Sequence, residues 1–204
     1  MRTHAEPLAE TATVERRARL GGTEGNELLT ILCAVVLTGL LVAEGVTVVH
    51  MGGLVSTHMF IGLVLIPPVG LKLASTGYRF VRYYTGSCVY RAKGPPLLAL
   101  RLLAPVLVAT TIAMLATGVA LMATGRKVSL LLEAHKVSFI AWGVLFGVHF
   151  LAYVPRVFRS LPAAWSARRG VPGTGLRGML VAASAGGGVA LALALLPSIH
   201  HWRP

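Results

Sequence analysis

The chain has 204 residues, 55% of them hydrophobic and only 13% charged, with a mean hydropathy of +0.72. A soluble domain carries about 25% charged residues, so the composition excludes a water-soluble globular protein and indicates an integral membrane protein of one domain. The net charge of +12 would suit a nucleic-acid partner if the basic residues formed one patch. They fall instead between the apolar segments, so the charge is a topology signal and no nucleic acid is expected.

In chain order, residues 1–27 are polar, carry Arg2, Arg16, Arg17 and Arg19, and lack an apolar run beside the first arginines. They read as a flexible cytoplasmic tail rather than a signal peptide. A first span is expected at about 28–50, long enough for a hydrocarbon core of about 30 Å, with Glu44 its only charge. Gly52 and Gly53 lead into a second span at about 54–78 that holds His58, Gly62, Pro67-Pro68 and Lys72. The two prolines are expected to kink it.

Residues 79–100 are basic and aromatic, close with Gly94-Pro95-Pro96, and read as an interfacial loop. A third span at about 101–124, rich in Ala, Thr and Leu, reads as a packing helix. Gly125-Arg126-Lys127 returns the chain into a fourth span at about 130–154, ended by Pro155, with His135 and His149 inside it. A second basic loop, 156–177, precedes a fifth span at about 178–199 centred on Gly186-Gly187-Gly188, and 200–204 form a short outer tail. The fold expected is therefore all-α, a single transmembrane bundle of five helices over residues 28–199.

Fourteen Lys and Arg lie in the tail and the two long loops, against four on the opposite side. Cytoplasmic loops are enriched in these residues, which puts the N-terminus inside and the C-terminus outside, with the protein multi-pass in the cell membrane. Cys33 and Cys88 then lie toward the inner side, where thiols stay reduced, so neither a disulfide nor a cysteine metal site is favoured. No phosphate-binding glycine loop, Ser-His-Asp set, HExxH or CxxC is present.

The intramembrane ionisable residues remain: Glu44, His58, Lys72, His135 and His149. Such groups are costly in hydrocarbon and mark functional sites by default. His135 and His149 are 14 residues apart, within about 40° on one helix face and roughly 21 Å apart along the axis. Spans two and four run in the same direction, so His58 and His135 lie near one level toward the outer side. Two neutral imidazoles from different helices at one depth are what six-coordinate haem iron requires. Gly62 lies one turn from His58 on the same face, where a missing side chain would let a macrocycle lie against the backbone. Glu44 could accept the Nδ1 proton of an axial histidine, or be protonated and bonded between helices. Zinc would want three or four converging ligands, and only two are found at this depth.

Histidines on spans two and four, the run His58-Met-Phe-Ile-Gly, Leu71-Lys-Leu-Ala-Ser-Thr-Gly-Tyr-Arg-Phe, Tyr83-Tyr-Thr-Gly, and His135-Lys-Val-Ser-Phe together resemble the membrane-embedded b-type cytochromes. That group includes ferric-reductase-like transmembrane proteins, haem subunits that anchor oxidoreductases, and small bacterial five-helix proteins. The resemblance covers roughly residues 28–155. It implies His58 and His135 as axial ligands of one haem b, with electrons crossing the bilayer. With no flavin or nicotinamide motif visible, it implies an electron-transfer subunit working with a partner oxidoreductase or a quinone rather than a self-contained enzyme.

A second haem would pair His149 with the residue 14 past His58, and that residue is Lys72. Lys72 could ligate iron as a neutral amine, snorkel to the headgroups, or meet a haem propionate or quinone oxygen. His149 could otherwise be a packing residue bonded between helices. The alternative to a haem protein is a non-redox membrane protein, a small transporter or scaffold, in which His58 and His135 only make interhelical hydrogen bonds. His50, His200 and His201, at span ends, read as surface residues, and Gly143/Gly147 as a helix-packing pair.

Overall fold

The computed structural model describes residues 22–92, 98–167 and 171–202. The regular structure among them is entirely helical: α1 (Gly22–Val49), α2 (Met51–Tyr84), α3 (Cys88–Ala92), α4 (Leu98–Ala123), α5 (Ser129–Ala167), α6 (Thr174–Ala194) and α7 (Leu196–His201). Five stretches are long and apolar enough to cross a membrane: Gly22–Val49, Met51–Tyr84, Leu98–Ala123, Ser129–Pro155 and Thr174–Ala194. Large apolar side chains such as Val42, Leu102, Ile112, Val144 and Leu151 point outward along them. That arrangement is unfavourable in water and ordinary in lipid, where only backbone polar groups must be satisfied internally. Threonines on these helices bond back to carbonyls of the preceding turn, as Thr38 does to Ala34 and Thr111 to Leu107, at 2.8 and 2.7 Å.

Several helix ends differ from the hydropathy reading. Helix α1 begins at Gly22 rather than near 28, and α2 continues to Tyr84, so residues 79–84 are helical rather than loop. Helix α5 passes Pro155 and ends at Ala167. Hydropathy marks the hydrocarbon-crossing part alone, whereas backbone hydrogen bonding carries a helix on into the headgroup layer. The fifth span stops at Ala194, and Pro197 sits in the first turn of the separate helix α7. The expected tail falls outside the described residues up to residue 21.

The kink expected at Pro67-Pro68 lies elsewhere. Leu54 is the residue within α2 whose backbone leaves helical geometry (φ −119°, ψ 18°), and the prolines do not. A proline removes the hydrogen bond to the carbonyl four residues back, so Pro68 frees the Val64 carbonyl. Helix α6 covers it: a Cβ added to Gly188 would collide with the Val64 carbonyl group. The bare glycine lets the two backbones close up, with Cα–H groups as weak donors to the freed oxygen.

Helices α1, α2 and α6 form one packed group, and α4 and α5 form an antiparallel pair. The two groups meet mainly through α2 with α4 and through α7. Leu63, Val64, Met122, Ala192 and Ile199 make the buried core at the end where α2 and α5 begin. At the opposite end α1 and α2 are tied by polar contacts. Asn26 Nδ2 donates to the Ser75 carbonyl at 3.2 Å, and the Thr30 and Ser75 hydroxyls share a 2.7 Å bond. Helix α5 packs extensively on α4 alone, so the face between α2 and α5 is bridged by side chains.

Candidate functional site

Both histidines of the expected pair sit early in their helices, His58 in α2 and His135 in α5, at the end of the bundle that carries the core. Their rings meet in a T-shaped, edge-on arrangement between α2 and α5, with centroids 6.3 Å apart and planes inclined at 72°. Both are partly buried. No hydrogen bond joins the two rings.

Each ring is held by its Nδ1. His58 Nδ1 lies 3.0 Å from Glu44 Oε1 and 3.1 Å from the hydroxyl of Thr47. Thr47 is 2% exposed, and its hydroxyl also donates to the Glu44 carbonyl at 2.6 Å. His135 Nδ1 lies 3.1 Å from the Met114 carbonyl and 3.2 Å from the Thr117 hydroxyl, both on α4. A carbonyl oxygen only accepts hydrogen bonds, as does an ionised carboxylate. In their neutral form, imidazoles held in this way carry the proton on Nδ1 and a lone pair on Nε2, since the bond made by one ring nitrogen sets the state of the other. Neither Nε2 has a hydrogen-bond partner among the described residues.

Two lone-pair nitrogens cannot hydrogen-bond to one another, but both can donate to a metal. An ion bound to facing imidazole nitrogens at about 2.0 Å holds their ring centroids roughly 6 Å apart. Among the described residues no group of three or more His, Cys, Asp or Glu side chains is placed to hold a bare metal ion. Two protein ligands are the number needed by an iron already bound by four macrocycle nitrogens. His58 and His135 supply two imidazole nitrogens, the number of axial positions that haem iron would leave to the protein.

Comparison with protein-family models, with curated proteins and with solved structures found no match.

The other expected residues fall into two places. Gly62 lies against α1, where an added Cβ would be 3.6 Å from Glu44 Oε1. That is an ordinary van der Waals distance, so the position borders the Glu44 carboxylate without requiring a glycine. Lys72 and His149 lie about four turns further along α2 and α5. Lys72 Nζ donates to the Thr30 carbonyl at 2.7 Å, and His149 Nδ1 is buried with no hydrogen-bond partner. The histidines at the span ends are exposed, with His50 Nδ1 at 3.0 Å from the Val46 carbonyl and His201 Nδ1 at 2.6 Å from that of Pro197. Cys33 is buried and Cys88 exposed, both free.

Sequence reasoning missed the α4 side of the site. Gly118 on α4 lies under the His135 ring, where an added Cβ would stand 3.1 Å from Cε1. Thr117, its neighbour, reaches both His135 and Ser138. The Thr117-Gly118 pair facing a histidine-bearing helix was the available signal, hidden because α4 has no ionisable residue in its apolar interior.

Proposed function

We propose that the chain is a b-type haem protein of the cell membrane that carries electrons within or across the bilayer, with His58 and His135 as axial ligands. The reading is supported above all by one observation: two imidazoles on separate helices, each fixed through Nδ1, have unpartnered Nε2 atoms and ring centroids 6.3 Å apart. Haem bound there supplies an iron that exchanges one electron between ferric and ferrous states. The concentration of Lys and Arg in the tail and long loops supports an N-terminus inside, a C-terminus outside and the histidine pair toward the outer leaflet. A membrane quinone or a partner oxidoreductase is the exchange partner in this reading.

The residues of the chain hold and tune. His58 and His135 span the gap between α2 and α5, Glu44 and Thr47 orient His58 from α1, and Met114, Thr117 and Gly118 orient His135 from α4. The interhelical bonds at Nδ1 also suit the second reading, a non-redox bundle stapled by its histidines. That reading gives no role to the two Nε2 atoms, which have no hydrogen-bond partner among the described residues. Purified protein made with sufficient haem should show a Soret band and a sharp reduced α-band. A well-folded, colourless protein with no affinity for added haem would sink the proposal.

Two variants probe the supporting contacts. Loss of a residue that orients a metal-ligating histidine costs about 10–100-fold in metal affinity. Glu44→Ala is expected to weaken haem retention by about tenfold and to raise the reduction potential, because a carboxylate on Nδ1–H makes the imidazole a stronger donor to ferric iron. Glu44→Gln, which keeps an acceptor without charge, should retain more haem than Glu44→Ala in a haem titration. Gly118→Val should displace the His135 ring, converting a six-coordinate spectrum into a five-coordinate one, since even a Cβ would stand tightly against the ring, 3.1 Å from Cε1, and valine adds two methyl groups beyond it.

A further inference from the structure

At Tyr78 the apolar sequence of α2 gives way to a segment that mixes cations with rings, Tyr-Arg-Phe-Val-Arg-Tyr-Tyr, and the chain stays helical through it to Tyr84. Gly86, at φ +92°, then turns the chain into α3, with the Ser87 amide donating to the Arg82 carbonyl at 3.2 Å. The Tyr90 ring meets Tyr78 edge-on at 6.2 Å between centroids, so α3 lies folded against the end of α2.

Two guanidinium groups from separate elements converge on consecutive residues of this end. Arg91 on α3 donates from Nε to the Tyr83 carbonyl at 3.3 Å, and Arg101 on α4 lies over the Tyr84 ring, 4.9 Å from its centroid. The Tyr83 and Tyr84 rings are 5.3 Å apart, and Phe80 extends the cluster at 4.5 Å from Tyr84. Arg82, the residue before, has its Nε enclosed without a hydrogen-bond partner. A guanidinium carries five N–H donors and no acceptor. Arg91 spends one of its five on Tyr83, and the contact of Arg101 with a ring face spends none. Among the described residues no carboxylate stands within ion-pair distance of any of the three, the ion pairs lying at Glu44 and Glu133. Cations gathered without acidic partners repel one another, a cost that an anion among them removes.

We propose that Arg91 and Arg101, together with Arg82, bind the phosphodiester of an anionic phospholipid at the Tyr83-Tyr84 end of α2. Guanidinium forks match phosphate oxygens in pairs, which gives such contacts both strength and direction. The surroundings select a lipid over a free anion. Phe80 and Val81 on α2, and Leu98 and Leu102 on either side of Arg101 on α4, are each more than half exposed. They offer acyl chains an apolar surface continuous with the spans, while the tyrosines suit headgroup depth. A zwitterionic lipid carries its own cation beside the phosphate, so the cluster favours a headgroup of net negative charge. The site lies at the end of α2 away from His58 and holds whether or not the chain binds haem.

Native mass spectrometry of the detergent-purified, delipidated full chain, titrated with phosphatidylglycerol or phosphatidylcholine, tests the site. Wild type should hold one phosphatidylglycerol more tightly than phosphatidylcholine. Arg91→Gln and Arg101→Gln should each weaken that binding by about tenfold, the scale of one hydrogen bond to a charged group. Tyr84→Leu, which keeps apolar bulk but removes the ring beneath Arg101, should weaken it by less. Arg126→Gln, at the other end of α4, should leave it unchanged. If Arg101→Gln loses its helical circular dichroism, Arg91→Gln carries the test. Equal affinity for the two lipids overturns the site, as does unaltered phosphatidylglycerol binding in the folded variants. An equal loss in Arg126→Gln would reduce it to diffuse surface charge, and displacement of the lipid by an equal concentration of glycerol phosphate would make it a site for soluble anions; either result overturns the proposal.

Discussion

Under the proposed haem reading, replacing His58 or His135 with alanine is expected to abolish a six-coordinate haem spectrum, and replacing both to leave the purified chain without haem. The expected loss exceeds the 10–100-fold, or about 1.4–2.7 kcal/mol, that removing an orienting partner costs, because each substitution removes a bond to iron itself. The two variants should behave alike, since each ring is the mirror of the other in its wiring: Nδ1 anchored on a neighbouring helix and Nε2 free. Absorbance of the reduced protein reads the outcome directly, and added imidazole should restore a six-coordinate spectrum by filling the vacated position. A His58→Ala protein with an unchanged α-band would remove His58 from the iron and with it the central claim. Fold loss is a separate matter, tracked by circular dichroism, because Glu44 and Thr47 lose their His58 partner in the same variant.

The largest effect on stability is expected at Gly188. Its place against the Val64 carbonyl leaves no room for a Cβ, and the obstacle is backbone rather than a side chain that can turn away. Gly188→Val should destabilise the detergent-solubilised bundle by about 3 kcal/mol, at the upper end of what overpacking costs, and Gly188→Ala by less in the same direction. Gly187→Ala is the control. Nothing lies within 4 Å of the added Cβ there, and removing a helix-interior glycine should be neutral or stabilising by up to about 1 kcal/mol. Thermal unfolding of the three variants separates a contact argument from a propensity argument, since propensity alone predicts that all alanine changes in this run stabilise. The core that would be disturbed, around Leu63, Val64 and Ala192, packs against Met59 and Phe60, the residues that follow His58 on α2, so under the haem reading Gly188→Val should also lower haem retention.

The existence of five apolar helices and the location of their ionisable residues were legible from the chain alone. Both depend on simple quantities: the number of apolar residues needed to cross hydrocarbon, and the rise of about 1.5 Å per residue that puts His58 and His135, each a few residues into spans running the same way, at one depth. Helix ends were less legible, as α5 running on past Pro155 and the break at Leu195 illustrate, because hydropathy is blind to where backbone hydrogen bonding stops. The wiring of the site depended on tertiary structure. That Glu44 accepts from Nδ1 of an axial histidine was one of two readings, the other a protonated carboxyl bonded between helices, and which histidine it meets was not given; Thr47, Met114, Thr117 and Gly118 entered only when α1 and α4 were seen against the rings. These contacts join residues far apart in sequence, and a carbonyl such as that of Met114 has no signature in the residue that carries it. Likewise, the direction of Lys72 toward α1 and the orphaned Nδ1 of His149 follow from which helices pack and which stay apart, a balance of many weak contacts that no single segment encodes.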